Sequence, residues 1–227
     1  MAVEAITLRD VKLVADQMSE ELILGELRGA TGIPALAEET GHRGPEHVNG
    51  LLWVVDPLDG TVNYSRSIPQ CCVSIALLQH DVPTVGVIYD FTRDEMFSGI
   101  VGAGAWLNAK VINVSQINQR RYAILATGLP SRRDFSPQAL SRFGQSLAGW
   151  QKVRMFGSAA LSLAYVASGR VDAYWEESIM PWDIAAGHAI VEAAGGAIRT
   201  SEAKDDGSVD VIGANPHLLA VQPSAFA

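Results

Sequence analysis

The stretch that most constrains this sequence is Leu51-Leu52-Trp53-Val54-Val55-Asp56-Pro57-Leu58-Asp59-Gly60-Thr61-Val62-Asn63. Its five leading apolar residues read as a buried strand, and the Asp-Pro that follows reads as its stop. The strand delivers two carboxylates, three positions apart, into a turn with glycine and threonine directly after. Asp56 and Asp59 can then face one point, with the Leu58 carbonyl turned inward as a third oxygen. Such an all-oxygen set suits a hard cation such as magnesium in near-octahedral geometry. A helix starting at Gly60-Thr61 would add free N–H groups and a positive dipole end, which favour a phosphate beside the metals. The competing reading is a surface turn. The apolar run argues against it, because carboxylates ending an interior strand need partners and no lysine or arginine lies close by in sequence.

Two further acidic loci bear on the same chemistry. Glu38 and Glu39 form a pair just upstream, of which one is expected to be an ordinary solvated loop residue. Asp183, in Trp182-Asp183-Ile184-Ala185-Ala186-Gly187, opens an Ala-rich helix. It reads as an N-cap, whose spare oxygen would still be open to a metal.

Around these loci the pattern divides the chain. Leu8–Leu27 reads as an amphipathic helix with Val11, Val14, Met18, Leu22 and Leu24 on its apolar side. Strands are expected at Val73–Leu78, Val85–Tyr89, Phe91–Ser98 and Ala105–Val114, with a turn at His80-Asp81-Val82-Pro83. The second half alternates strands (Ile124–Thr127, Val153–Phe156) with helices (Gln138–Ala148, Ser158–Ala167, Asp183–Ala194), the last closed by Gly195-Gly196. The expected division is residues 1–118, carrying most metal ligands, and 119–227, carrying Asp183 and the substrate contacts.

Composition narrows the function. With a net charge of -8 and 48% hydrophobic residues, the chain lacks the basic footprint of a nucleic-acid binder and has ample material for a core. It would repel a phosphorylated substrate unless cations or local dipoles reversed the sign at the site. No apolar stretch approaches the roughly 20 residues that span a bilayer. Its only cysteines, Cys71 and Cys72, are neighbours in an apolar run, too close for ordinary disulfide geometry. A cytoplasmic protein with reduced, buried cysteines is the expectation.

These residues resemble the inositol monophosphatase family of metal-dependent, lithium-sensitive sugar-phosphate phosphatases. Glu38-Glu39-Thr40, Asp56-Pro57-Leu58-Asp59-Gly60-Thr61-Val62-Asn63 and Trp182-Asp183-Ile184-Ala185-Ala186-Gly187 match its three signatures in order and approximate spacing, and the resemblance runs from about residue 8. It implies a mixed α+β fold, the layered αβαβα sandwich of the inositol monophosphatase and fructose-1,6-bisphosphatase type. It implies that Glu38, Asp56, Asp59, Asp183 and the Leu58 carbonyl hold two or three magnesium ions. Gly60 and Thr61 would bind phosphate through backbone N–H groups, and Glu38 and Thr61 would orient and activate water. Asp16 matches an acid supporting the weaker metal site, while Gly157, Ser158, Ala159, Glu176 and Asp183 match substrate contacts. Relatives are mostly dimers. The resemblance implies two departures that would touch the third metal site and loop closure: the first helix and lysine-bearing loop of many relatives are expected to have no counterpart in this sequence, and Leu13 stands where relatives usually have threonine.

The expected reaction is magnesium-dependent hydrolysis of a small soluble phosphate monoester by in-line attack of water. Inositol monophosphate is the first choice, then histidinol phosphate or fructose 1,6-bisphosphate. A rival class uses a nucleophilic aspartate in Asp-x-Asp-Gly-Thr, but here two residues separate the acids. A non-catalytic metal- or phosphate-binding regulator is the second rival. Gly99–Gly104 lacks dinucleotide-loop spacing and reads as a turn, and the five histidines form no ligand pair.

Overall fold

The computed structural model describes residues 3–6, 11–43, 47–129 and 134–220, with side chains for 14–41, 47–129 and 134–220. A two-stranded ribbon, β1 (Val3–Ile6) and β2 (Val11–Leu13), leads into α1 (Val14–Thr31). Next come β3 (Ala35–Ala37), β4 (Gly41–Arg43), β5 (Leu51–Asp59) and the short α2 (Thr61–Ser65). Then follow β6 (Cys72–Gln79), β7 (Val82–Asp90), β8 (Glu95–Ile100), β9 (Gly104–Leu107) and β10 (Lys110–Ile112). These strands form one sheet in the order β10-β9-β8-β7-β6-β5-β3-β4, antiparallel except where β3 runs parallel to β5.

The second half supplies β11 (Ile124–Thr127), α3 (Pro137–Ser146), β12 (Lys152–Arg154), α4 (Ala159–Ala167) and β13 (Ala173–Ile179). It ends with α5 (Pro181–Ala193), β14 (Ala197–Thr200), β15 (Val209–Ala214) and α6 (Pro216–Leu219). The second sheet runs β12-β11-β13-β15-β14, with β11 parallel to β12 and β13 and the remaining pairs antiparallel.

Packing stacks these parts into five layers. Leu24 of α1 packs with Ala35, Ala37 and Val55 on one face of the first sheet. On its other face, α4 and α5 share a core with Val54, Ala76, Ile88 and Phe97 of the first sheet and Tyr174 and Val211 of the second. Phe143 of α3 and Leu218 and Leu219 of α6 cover the outer face of the second sheet around Trp175 and Ile212. The fold is therefore the αβαβα sandwich expected from the resemblance. Its middle layer is thin because α4 and α5 are rich in alanine, and Gly86 and Gly99 let α5 lie against β7 and β8. A Cβ at Gly86 would sit 2.2 Å from the Ala186 carbonyl oxygen.

Several expectations need correction. The first helix starts at Val14 rather than Leu8, which lies outside the described residues, and Val11 belongs to β2. Its inward residues are Asp16, Glu20 and Leu24, while Val14, Met18 and Leu22 are exposed at 39%, 66% and 67%. The expected Phe91–Ser98 strand begins only at Glu95, after a turn, and Ala105–Val114 is a hairpin whose turn residues Asn108 and Ala109 have positive φ. Finally, Pro57 does not end β5.

Candidate active site

That continuation through Pro57 builds the site. In a regular strand, residues three apart point to opposite faces. Between Asp56, opposite Ser74, and Asp59, opposite Cys72, β5 carries one more residue than β6, a bulge that re-aims the second side chain. Pro57 tolerates this place because a bulge interrupts the hydrogen-bond ladder. The Leu58 N–H donates to Asp56 Oδ1 at 3.0 Å, and Gly60 then takes a left-handed conformation, φ 87°. A Cβ there would lie 2.6 Å from the Gln70 carbonyl, so glycine is required on both counts.

Asp183 arrives from α5. It stands at the third helical position rather than at the N-cap, which is Met180, and its Oδ2 accepts the Met180 N–H at 3.0 Å. One carboxylate oxygen from each of Asp56, Asp59 and Asp183 lies within 4.8 Å of the others. Glu38 lines the same cavity of about 310 Å³, with Leu58, Gly60, Thr61, Gly157, Ser158, Ala159 and Glu176. The structure thus brings together all the expected site residues except Asp16, which is buried in the first turn of α1 but does not line the cavity.

The charges are strained by burial. Asp56, 1% exposed, has its carboxyl pushed well above the ordinary range by burial, then by the charges of Glu38, Asp59 and Asp183. Asp183 is pushed up to about 8 by burial, then by Asp59. Asp59 is also raised by burial, but hydrogen bonds from Ser158 and the Ala160 and Ala159 N–H groups pull it back. No lysine, arginine or histidine is among the described lining residues. Facing carboxylates in that setting must share protons or surround a cation. Three carboxylates, a fourth nearby in Glu38 and the Leu58 carbonyl fit a hard divalent cation.

Several supporting contacts had no announcement in sequence. Glu20, 1% exposed, accepts the Glu39 N–H (2.9 Å) and the Thr40 hydroxyl (2.5 Å), and Ser19 Oγ donates to the Pro57 carbonyl (3.0 Å). Helix α1 therefore sets both the Glu38 loop and the bulge. Asn63 Nδ2 donates to the Phe156 (2.8 Å), Gly157 (3.2 Å) and Gln70 (2.8 Å) carbonyls, tying α2 to the loop before α4. Glu176 is a strand residue of β13, 7% exposed, and its Oε2 accepts the Tyr174 hydroxyl at 2.8 Å. Gly128 makes room for it, since a Cβ there would stand 2.5 Å from that oxygen. The acidic spacing Asp16–Glu20 was a usable signal for α1; nothing local marked Tyr174 or Gly128.

Comparison with known proteins agrees with this fold and this donor set. Residues 6–223 match the Inositol monophosphatase family, and the chain belongs to that family, whose members depend on metal. It is 42% identical over 197 residues to a protein of Xylella fastidiosa named Nus factor SuhB, covering 86% of this chain and 70% of that one. It is also 42% identical over 191 residues to an inositol-1-monophosphatase of Synechocystis sp., covering 83% and 66% respectively. The matched segments thus span about two-thirds of the length of these curated relatives. The solved inositol monophosphatase of Anabaena superposes with a TM-score of 0.82 at 39% identity, covering 94% of this chain and 89% of that one.

Proposed function

We propose that this protein is a magnesium-dependent phosphomonoesterase acting on a small polyol phosphate, with inositol monophosphate the first candidate. The observation that carries this reading is the meeting of Asp56, Asp59 and Asp183 within 4.8 Å in an open cavity that also holds Glu38 and Glu176. Asp56, Asp59, Asp183, Glu38 and the Leu58 carbonyl would hold two or three magnesium ions. Bound there, magnesium neutralises phosphoryl charge and makes water a stronger nucleophile at neutral pH.

The chain's own groups do the rest. Thr61 lines the cavity, and its hydroxyl donates to the Leu58 carbonyl at 3.0 Å, which leaves its oxygen lone pairs as acceptors that would orient an attacking water. Glu38 lies on the same wall and takes that water's proton. The Gly60 and Thr61 N–H groups, at the start of α2, bind the phosphate. Glu176 presents a carboxylate to the substrate's hydroxyl groups, with one oxygen held by Tyr174, and Gly157 and Ala159 line the alcohol side. Asp16, buried in the first turn of α1, would support the weaker metal site, as the resemblance implies.

A regulatory binding role is the second reading, favoured by the relative named a Nus factor. The full set of acids in an open cavity supports turnover over binding alone. Both cysteines are free and buried, which supports a reducing, cytoplasmic setting, and no described helix is long and apolar enough to cross a membrane.

The test is phosphate release from inositol monophosphate, histidinol phosphate, fructose 1,6-bisphosphate and a 3′-phosphonucleotide, with and without magnesium. Magnesium-dependent turnover led by inositol monophosphate is expected. A folded protein that binds magnesium and turns over no ester would leave the regulatory reading.

A further inference from the structure

Ser158 lines the cavity, yet its hydroxyl is committed elsewhere. It donates to Asp59 Oδ2 at 2.5 Å while accepting the Leu161 N–H at 3.2 Å. The Ala160 N–H reaches the same Oδ2 at 2.8 Å, and the Cys72 thiol at 3.8 Å. All three of these bonds fall on Oδ2, and the Ala159 N–H also bonds this carboxylate. Ser158 is 4% exposed and Asp59 7%, so water competes little for either group.

We infer that Ser158 is a positioning residue for cation binding: its hydroxyl pins Asp59 Oδ2 to the start of α4, so that Oδ1 is held toward Asp56 and Asp183. This rests on the metal-dependent reading above. A carboxylate turns readily about its last torsion, whose preference is broad and roughly two-fold. Fixing one oxygen with two short bonds fixes the plane and hence the direction of the other. The Leu161 N–H strengthens the arrangement, because a hydroxyl that accepts a hydrogen bond donates better. The contact also spans layers, joining β5 of the first sheet to a helix of the middle layer 99 residues away. Outer partners that orient metal ligands are commonly worth 10–100-fold in affinity.

The same hydroxyl caps α4, so the test must separate site geometry from helix stability. Magnesium or manganese alone is titrated calorimetrically into the full chain as wild type, Ser158→Ala, Ser158→Thr and Ser136→Ala. Ser136 caps α3 with its own hydroxyl and does not line the cavity. Expected are about a 10–100-fold loss of affinity in Ser158→Ala, affinity near wild type in Ser158→Thr, and no change in Ser136→Ala despite a lowered melting temperature. Should Ser158→Ala not fold, Ser158→Cys, isosteric with a weaker donor, is expected to show the loss in smaller measure. Unchanged affinity in Ser158→Ala, or an equal loss in Ser158→Thr, would overturn the inference while leaving the phosphatase reading intact. A wild-type protein that binds neither cation would overturn both.

Discussion

At the scale of single residues, the chemistry follows from carboxylates forced together in a buried place. Burial and neighbouring charge raise Asp183 to about 8, against an ordinary aspartate value of 3.8. The metal-free folded protein therefore holds a proton there that the unfolded chain gives up near pH 4. Its stabilising contribution is complete below about pH 4 and is lost as pH rises toward about 8. Calorimetry in chelator should show the melting temperature falling across that window. Magnesium should abolish the fall, since binding displaces the proton. Tyr174 offers a second test. Tyr174→Phe leaves Glu176 without its buried donor, and about 1 kcal/mol is expected in kcat/KM, mostly through KM, in steady-state kinetics. The carboxylates themselves were legible because three signatures name them. Their holders were not: Ser158, Cys72 and Tyr174 lie 99, 13 and two residues from the carboxylates they hold.

Elements fail to read from sequence where two patterns compete. Helix α1 carries an apolar stripe, Val14-Met18-Leu22, and a mixed one of two acids and a leucine, Asp16-Glu20-Leu24, at the same spacing on opposite sides. Periodicity favours burying the first. The fold buries the second, because Glu20 is needed to hold Glu39 and Thr40. Glu20→Gln should thus cost activity about 10-fold or more while leaving the helix formed, as judged by circular dichroism. Likewise proline predicts the end of β5, yet the bulge at Pro57 lets the strand run on and aims both aspartates one way. The contact of α5 with β7 was invisible for another reason, since glycines carry no hydrophobic signal. Gly86→Ala should push on the Ala186 carbonyl and cost about 1–3 kcal/mol by thermal or denaturant unfolding.

For the whole molecule, layering explains why one site draws on such distant segments. Glu38 follows β3, Asp56 and Asp59 close β5, and Asp183 opens α5 in the middle layer, so stacking the layers completes the acidic cavity. The two-half strand pattern was readable from alternation and turn residues, whereas β13, β15 and the sheet order depend on pairings no local window contains. A cation binding between layers should stabilise all of them together. At a concentration 100 times its dissociation constant, magnesium should add about 2.7 kcal/mol, roughly 5–10 °C in melting temperature. The most direct measurement compares magnesium-dependent phosphate release from inositol monophosphate by the wild type and by Asp56→Asn. Release that requires magnesium and falls by at least about 10²–10³-fold in the variant is predicted. Equal release by the two proteins, or release indifferent to magnesium, would contradict a catalytic cation site at Asp56, Asp59 and Asp183.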